Sequence, residues 1–183
     1  MTRLLALLAA LALLVPGPAL AEGEAAIPEP DDYRMDAYLA PVPDSLAGAH
    51  VVGDAAAHAL WHAGVAFIDV LPRQPKPANL PKGTLWIEKK RLSIPGALWV
   101  PNVGYGRIRP EIDAYFRRAL ESVTGGDIAV PVVIFCRADC WMSWNAARRA
   151  VLDYGYTRIF WYPDGSDGWD FADLPLEQIA RFE

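Results

Sequence analysis

Only two cysteines and three histidines occur in the 183 residues. Two thiols permit one intramolecular bridge, and none of the cysteine-rich scaffolds that staple small domains. Covalent haem attachment needs a histidine after the second cysteine, where Trp141 stands instead. A metal site would draw on His50, His58 and His62; the last two share a helical face, but without further ligands they read as surface histidines, and no metal is expected. Basic residues are also scarce, 17 against 22 acidic, for a net charge of −5, which argues against nucleic-acid binding. Beyond Ala21 no apolar run approaches the roughly 20 residues of a membrane-spanning helix, and no repeat or heptad pattern is present.

The amino terminus is the exception. Arg3 precedes an almost wholly apolar run, Leu4 to Val15, and Ala19-Leu20-Ala21 supplies a small-x-small cleavage pattern. Residues 1–21 are therefore expected to be a signal peptide, with export to the periplasm, and removing Arg3 brings the net charge to −6. Residues 22–48 are rich in proline and acid, an extended arm docked by Tyr33 and Tyr38. Residues 49–183 have the size of one domain.

Along that domain strand and helix patterns alternate. Ala49-His50-Val51-Val52 predicts a short strand, and Asp54 is placed to cap a helix from Ala55 to His62 that ends at Gly64. Val65 to Val70 predicts a buried strand with Asp69 near its end. Leu71 to Leu92 is long and irregular, with a basic cluster, Lys89, Lys90 and Arg91, read as a solvated charge run. Ala97 to Val100 predicts a strand and Pro110 to Val123 an amphipathic helix stopped by Gly125-Gly126. Thr157 to Tyr162 predicts the last strand, followed by a glycine-rich turn to Trp169 and a terminal helix from Leu176 to Phe182. This order specifies an α/β fold, a small and mostly parallel sheet flanked by helices on both faces.

Both cysteines lie in one stretch. Val132 to Phe135 is β-branched and aromatic, Cys136 ends it, and a helix opens after Cys140. A cysteine at a strand's carboxyl end, facing the backbone N–H groups of the next helix, has its thiolate favoured by those donors and by the helix dipole. A bridge across so short a loop constrains the unfolded chain little, so its stabilising value is modest.

The motifs Phe67-Ile68-Asp69-Val70, Ile94-Pro95-Gly96-Ala97, Val133-Ile134-Phe135-Cys136 and Trp161 to Trp169 occur in an order that resembles the rhodanese (sulfurtransferase) domain, over roughly residues 49–172. The resemblance implies an α/β domain in which Cys136 accepts sulfane sulfur and passes it on. The segment Cys136 to Ala147 looks like the signature of a small group of exported rhodanese-like proteins, named for a cysteine-pair-tryptophan motif and associated with catabolism by pyrroloquinoline-quinone-dependent dehydrogenases. That likeness implies a periplasmic redox partner or such a dehydrogenase, and no resident cofactor. Asp139 and Met142 stand near places where ordinary rhodanese loops commonly carry glycine and arginine. Asp139 opposes a thiolate and Arg137 favours it.

Three functions follow for this site. Cys136 is a sulfur-transferring nucleophile, with the backbone donors of Arg137, Ala138, Asp139, Cys140, Trp141, Met142 and Ser143 around the transferred atom. Alternatively, Cys136 and Cys140 cycle between dithiol and disulfide, Cys136 attacking and Cys140 resolving. In the third, the pair is a structural bridge in an accessory protein that binds a quinone-dependent dehydrogenase or its cytochrome. Around the loop, Asp69 is expected to accept backbone hydrogen bonds, Ser143 and Asn145 to cap the helix, Asp167 to bound the pocket, and Trp141 and Trp169 either to wall it or to pack on each other.

Overall fold

The computed structural model describes residues 27–183, so the expected signal peptide lies outside the described residues. Its centre is a five-stranded parallel sheet in the order β1-β6-β5-β2-β4. The strands are β1 (His50–Val51), β2 (Ala66–Asp69), β4 (Leu98–Trp99), β5 (Val132–Phe135) and β6 (Ile159–Tyr162). In β5 all four side chains are buried, as a central parallel strand covered on both faces requires.

Alternation along the strands sends side chains to two separate cores. Ile68, Val132, Ile134, Ile159 and Trp161 meet Phe116, Ala119 and Leu120 of α2 (Pro110–Thr124) and Trp144, Ala147 and Ala150 of α3 (Trp141–Leu152). Phe67, Val133, Phe135 and Tyr162 meet Ala57 of α1 (Asp54–His62) and Trp169 of α4 (Gly165–Phe171). Helices thus cover both faces, as the alternating pattern predicts. Helix α2 starts on Pro110 and stops at Gly125 in the left-handed conformation.

Four local expectations are overturned. Asp54 does not cap α1: Gly53 holds that position, and Asp54 accepts a hydrogen bond from the Tyr162 hydroxyl at 2.6 Å. The glycine-rich turn is the short helix α4, held because Ser166 N–H donates to the Cys136 carbonyl at 3.0 Å and Trp169 is drawn into the second core. The expected terminal helix is instead β7 (Glu177–Ile179), antiparallel to β3 (Arg91–Ser93). Here tertiary pairing outweighs a short helical period: the segment satisfies the open edge of β3, and Phe182 N–H then reaches the Trp99 carbonyl at 2.9 Å. Ser143 and Asn145 do not cap α3; Cys140 is its N-cap residue, with no side-chain cap.

Helix α3 is buried almost all round because residues 27–48 cover its outer side. Asn145 bonds Arg34, Trp141 Nε1 donates to the Pro41 carbonyl at 3.1 Å, and Trp144 Nε1 donates to the Ser45 carbonyl at 3.2 Å. Tyr33 donates to Asp153, and the Tyr38 hydroxyl to the Met35 carbonyl.

Candidate functional site

Strand β5 ends at the buried Cys136, the chain turns through Arg137, Ala138 and Asp139, and α3 begins after Cys140. Cys136 and Cys140 form a disulfide, their Cα atoms 6.3 Å apart. Four residues of separation span that distance only if the loop doubles back, and Asp139 turns it with φ +53°.

The loop is pinned on two sides. Toward the arm, Ala40 N–H donates to the Asp139 carbonyl at 3.0 Å and Trp141 N–H to the Tyr38 carbonyl at 2.9 Å, pairing Leu39 with Cys140. Toward α4, Arg137 pairs with Gly165, whose φ is +53°. Any Cβ at Gly165 would stand 2.6 Å from the Cys136 carbonyl oxygen, so only glycine lets α4 approach the loop.

Beside the bridge lies a cavity of about 550 Å³, within the range of small-ligand sites. Its wall includes Cys140 and Met142 but not Cys136. Both cysteines are almost fully enclosed, 0% and 1% exposed. Tyr38 and Leu39 of the arm, Trp99 of β4 and Tyr105 supply apolar wall, and Arg73, Lys89, Lys90, Arg91 and Arg137 supply positive charge.

Three of those cations have an acidic partner, Arg73 having Glu88. Asp69, wholly buried at the end of β2, accepts from Leu71 N–H at 2.9 Å, Ser93 Oγ at 2.5 Å and Arg91 Nε at 2.6 Å. Arg91 Nη2 also donates to Ser166 Oγ at 3.1 Å. Burial pushes the Asp69 carboxyl up from its ordinary pKa, opposed by Arg91, Ser93 and Leu71. Arg137 faces Asp167 at 3.4 Å across an exposed contact, and both line the cavity. Asp139 is exposed and lies off the cavity wall, so Arg137 and not Asp139 is the loop charge presented to a ligand.

The side chains of the remaining expected site residues engage other parts of the fold. Ser143 Oγ donates to the Cys140 carbonyl at 2.9 Å and accepts from Trp161 Nε1 at 3.0 Å. Trp141 packs edge-on against Trp144, while Trp169 packs among Trp61, His58 and Phe67 in the other core. Neither tryptophan lines the cavity, and they do not meet. Ala138 is half-buried in the turn. His58 and His62 are in edge contact, and among the described residues no group of three or more potential metal ligands forms.

Arg91 and Ser166 are contributors that sequence reading did not single out. Arg91 is the last of three consecutive cations, and nothing in the run distinguishes the one with a buried partner. Arg149 is a third: almost fully buried, it donates to the carbonyls of Val103, Tyr105 and Gly106 at 2.7, 3.0 and 3.0 Å and thereby places Tyr105 at the cavity.

No protein-family model matches the chain, and no curated protein matches it significantly. The α/β fold with a five-stranded parallel sheet and a close cysteine pair is what the structure establishes. No described helix is long and apolar enough to cross a membrane.

Proposed function

We propose that this is a periplasmic rhodanese-like protein whose cysteine pair performs thiol and sulfane-sulfur redox chemistry, in the setting of pyrroloquinoline-quinone-dependent alcohol oxidation. The observation that carries the chemistry is a disulfide across four residues, at the carboxyl end of the central strand, with Cys140 on a ligand-sized cavity. The setting rests on the likeness of the Cys136 to Ala147 segment to the exported cysteine-pair-tryptophan proteins. Its partner would be a periplasmic thiol protein or such a dehydrogenase.

In the reduced state one cysteine thiolate attacks the outer sulfur of a persulfide, R–S–SH, taking it as Cys–S–SH and releasing R–S⁻. The second cysteine thiolate then attacks the bound inner sulfur, closing Cys136–Cys140 and releasing HS⁻. Two external thiols return the bridge to the dithiol and leave as a disulfide, so two electrons enter for each sulfur released.

The enclosure of both sulfurs favours a second reading, an accessory protein with a structural bridge. Thiol labelling across a glutathione or dithiothreitol series separates the two. An exchangeable pair gives a reduction potential above about −300 mV; a value well below that assigns the bridge to structure.

A further inference from the structure

We propose that the cavity admits an anionic thiol, one bearing a carboxylate or similar oxyanion, whose charge rests against Arg91 and whose sulfur attacks Sγ of Cys140. This rests on the pair being exchangeable, and adds the substrate class and the sulfur attacked.

The sulfur is assigned by access. Cys140 forms part of the cavity wall, whereas Cys136 is absent from it and wholly enclosed in the core beneath α2 and α3. Thiol–disulfide exchange requires the incoming thiolate to approach one sulfur, and the other then leaves. An entering R–S⁻ therefore forms the Cys140–S–S–R bond as the S–S bond to Cys136 breaks, and Cys136 leaves as the thiolate. A second R–S⁻ displaces Cys140, giving R–S–S–R and the dithiol.

The charge is assigned by how the ion pairs face. Asp69 is sealed behind the wall while Arg91 lines the cavity, so this pair turns its positive end to a ligand. Asp69 and Ser166 hold the guanidinium through Nε and Nη2, which spares a ligand the entropy of ordering it. The other wall carboxylates are largely matched: Glu88 by Arg73, Asp167 by Arg137. Asp170 alone remains against Lys89 and Lys90, which have no ion pair among the described residues. The apolar surface of Leu39, Trp99 and Met142 suits the carbon chain of a small organic thiol.

The test is the second-order rate of bridge opening by 3-mercaptopropionate, 2-mercaptoethanol and cysteamine, corrected for thiolate fraction and divided by the rate with an unstructured disulfide peptide. At low ionic strength the normalised rate should run mercaptopropionate over mercaptoethanol by about tenfold, cysteamine slowest, with the spread shrinking severalfold in 0.5 M salt on the order expected from screening. Equal normalised rates, or cysteamine fastest, overturn the anion assignment. If no thiol opens the bridge, the exchangeable-pair reading itself falls, and this proposal with it.

Trapping tests the sulfur. Cys136→Ser, which retains Cys140, should take up an activated mercaptopropionate disulfide at least about tenfold faster than Cys140→Ser, since reactivity follows access. The reverse order overturns the assignment. The double variant Asp69→Asn, Arg91→Gln keeps a neutral hydrogen-bonding pair and should abolish the preference for mercaptopropionate over mercaptoethanol. A preference that survives in the folded variant overturns the role of Arg91.

Discussion

Asn145 and Arg34 exchange two hydrogen bonds: Arg34 N–H donates to Asn145 Oδ1 at 3.0 Å, and Asn145 Nδ2 donates back to the Arg34 carbonyl at 2.9 Å. A side-chain amide in α3 thus completes the backbone pairing of the arm, as a neighbouring strand would. Its second Nδ2 hydrogen goes to the Gly104 carbonyl at 2.9 Å, so one residue joins the arm, the helix and the loop that carries Tyr105.

Asn145→Ala removes all three bonds from a buried position. A loss of about 2–4 kcal/mol is expected, in keeping with unsatisfied buried groups. Limited proteolysis should cleave within residues 31–43 of the variant well before the wild-type chain. Unchanged cleavage would mean that the tryptophan contacts at Pro41 and Ser45 hold the arm alone.

Asp139 adopts a left-handed backbone at φ +53° and is exposed. Asp139→Gly should leave stability unchanged or raise it by up to about 1 kcal/mol, whereas Asp139→Val should cost about 1–2 kcal/mol from steric conflict at that φ. Urea midpoints of the two variants check the sign of the difference.

Arg149 has no carboxylate partner among the described ion pairs and satisfies the carbonyls of Val103, Tyr105 and Gly106, the first and last of them in buried contacts. Arg149→Met retains much of the volume yet strands those carbonyls, so a destabilisation of about 3 kcal/mol or more is expected. Urea unfolding midpoints of the variant and of the wild-type chain check that loss.

Alkali should destabilise the fold before it ionises the exposed tyrosines' buried counterparts. Burial pushes Tyr115 up to about 12 from 10.0. Burial likewise raises Tyr33, Tyr154 and Tyr162, helped by Asp153, Asp113 and Asp54 as acceptors of their hydroxyl protons. The folded chain keeps these protons where the unfolded chain has lost them, so stability is whole below about pH 10 and declines as pH rises through the folded values. Denaturant midpoints at successive pH values from 8 to 11.5 should fall above 10; a flat series would place these hydroxyls in freely titrating surroundings.

Periodicity made the sheet's inner strands and the first three helices legible. Ile68, Ile134 and Trp161 alternate with Phe67, Phe135 and Tyr162, and each helix carries an apolar face. Leu176 to Phe182 suggests a helix in sequence because the three-residue strand within it, Glu177 to Ile179, has no period to display and its partner lies some eighty residues earlier. Cys136, Cys140 and Arg137 were legible as a loop because they are neighbours in the chain. Arg91 was not, because its meaning comes from Asp69, 22 residues before it and invisible to any local pattern. Ser143 and Asn145 were of the right type and place for capping, yet the approach of Trp161 and of the arm gave their side chains other partners.

The pairing of Leu39 with Cys140 sets an order of assembly. The two sulfurs are four residues apart and meet by local chain motion alone, while the arm's side of the cavity waits for a contact across about a hundred residues, whose closure entropy makes it late. Oxidation can therefore precede enclosure, and a bridge formed at that point lacks the walls that select what reaches it.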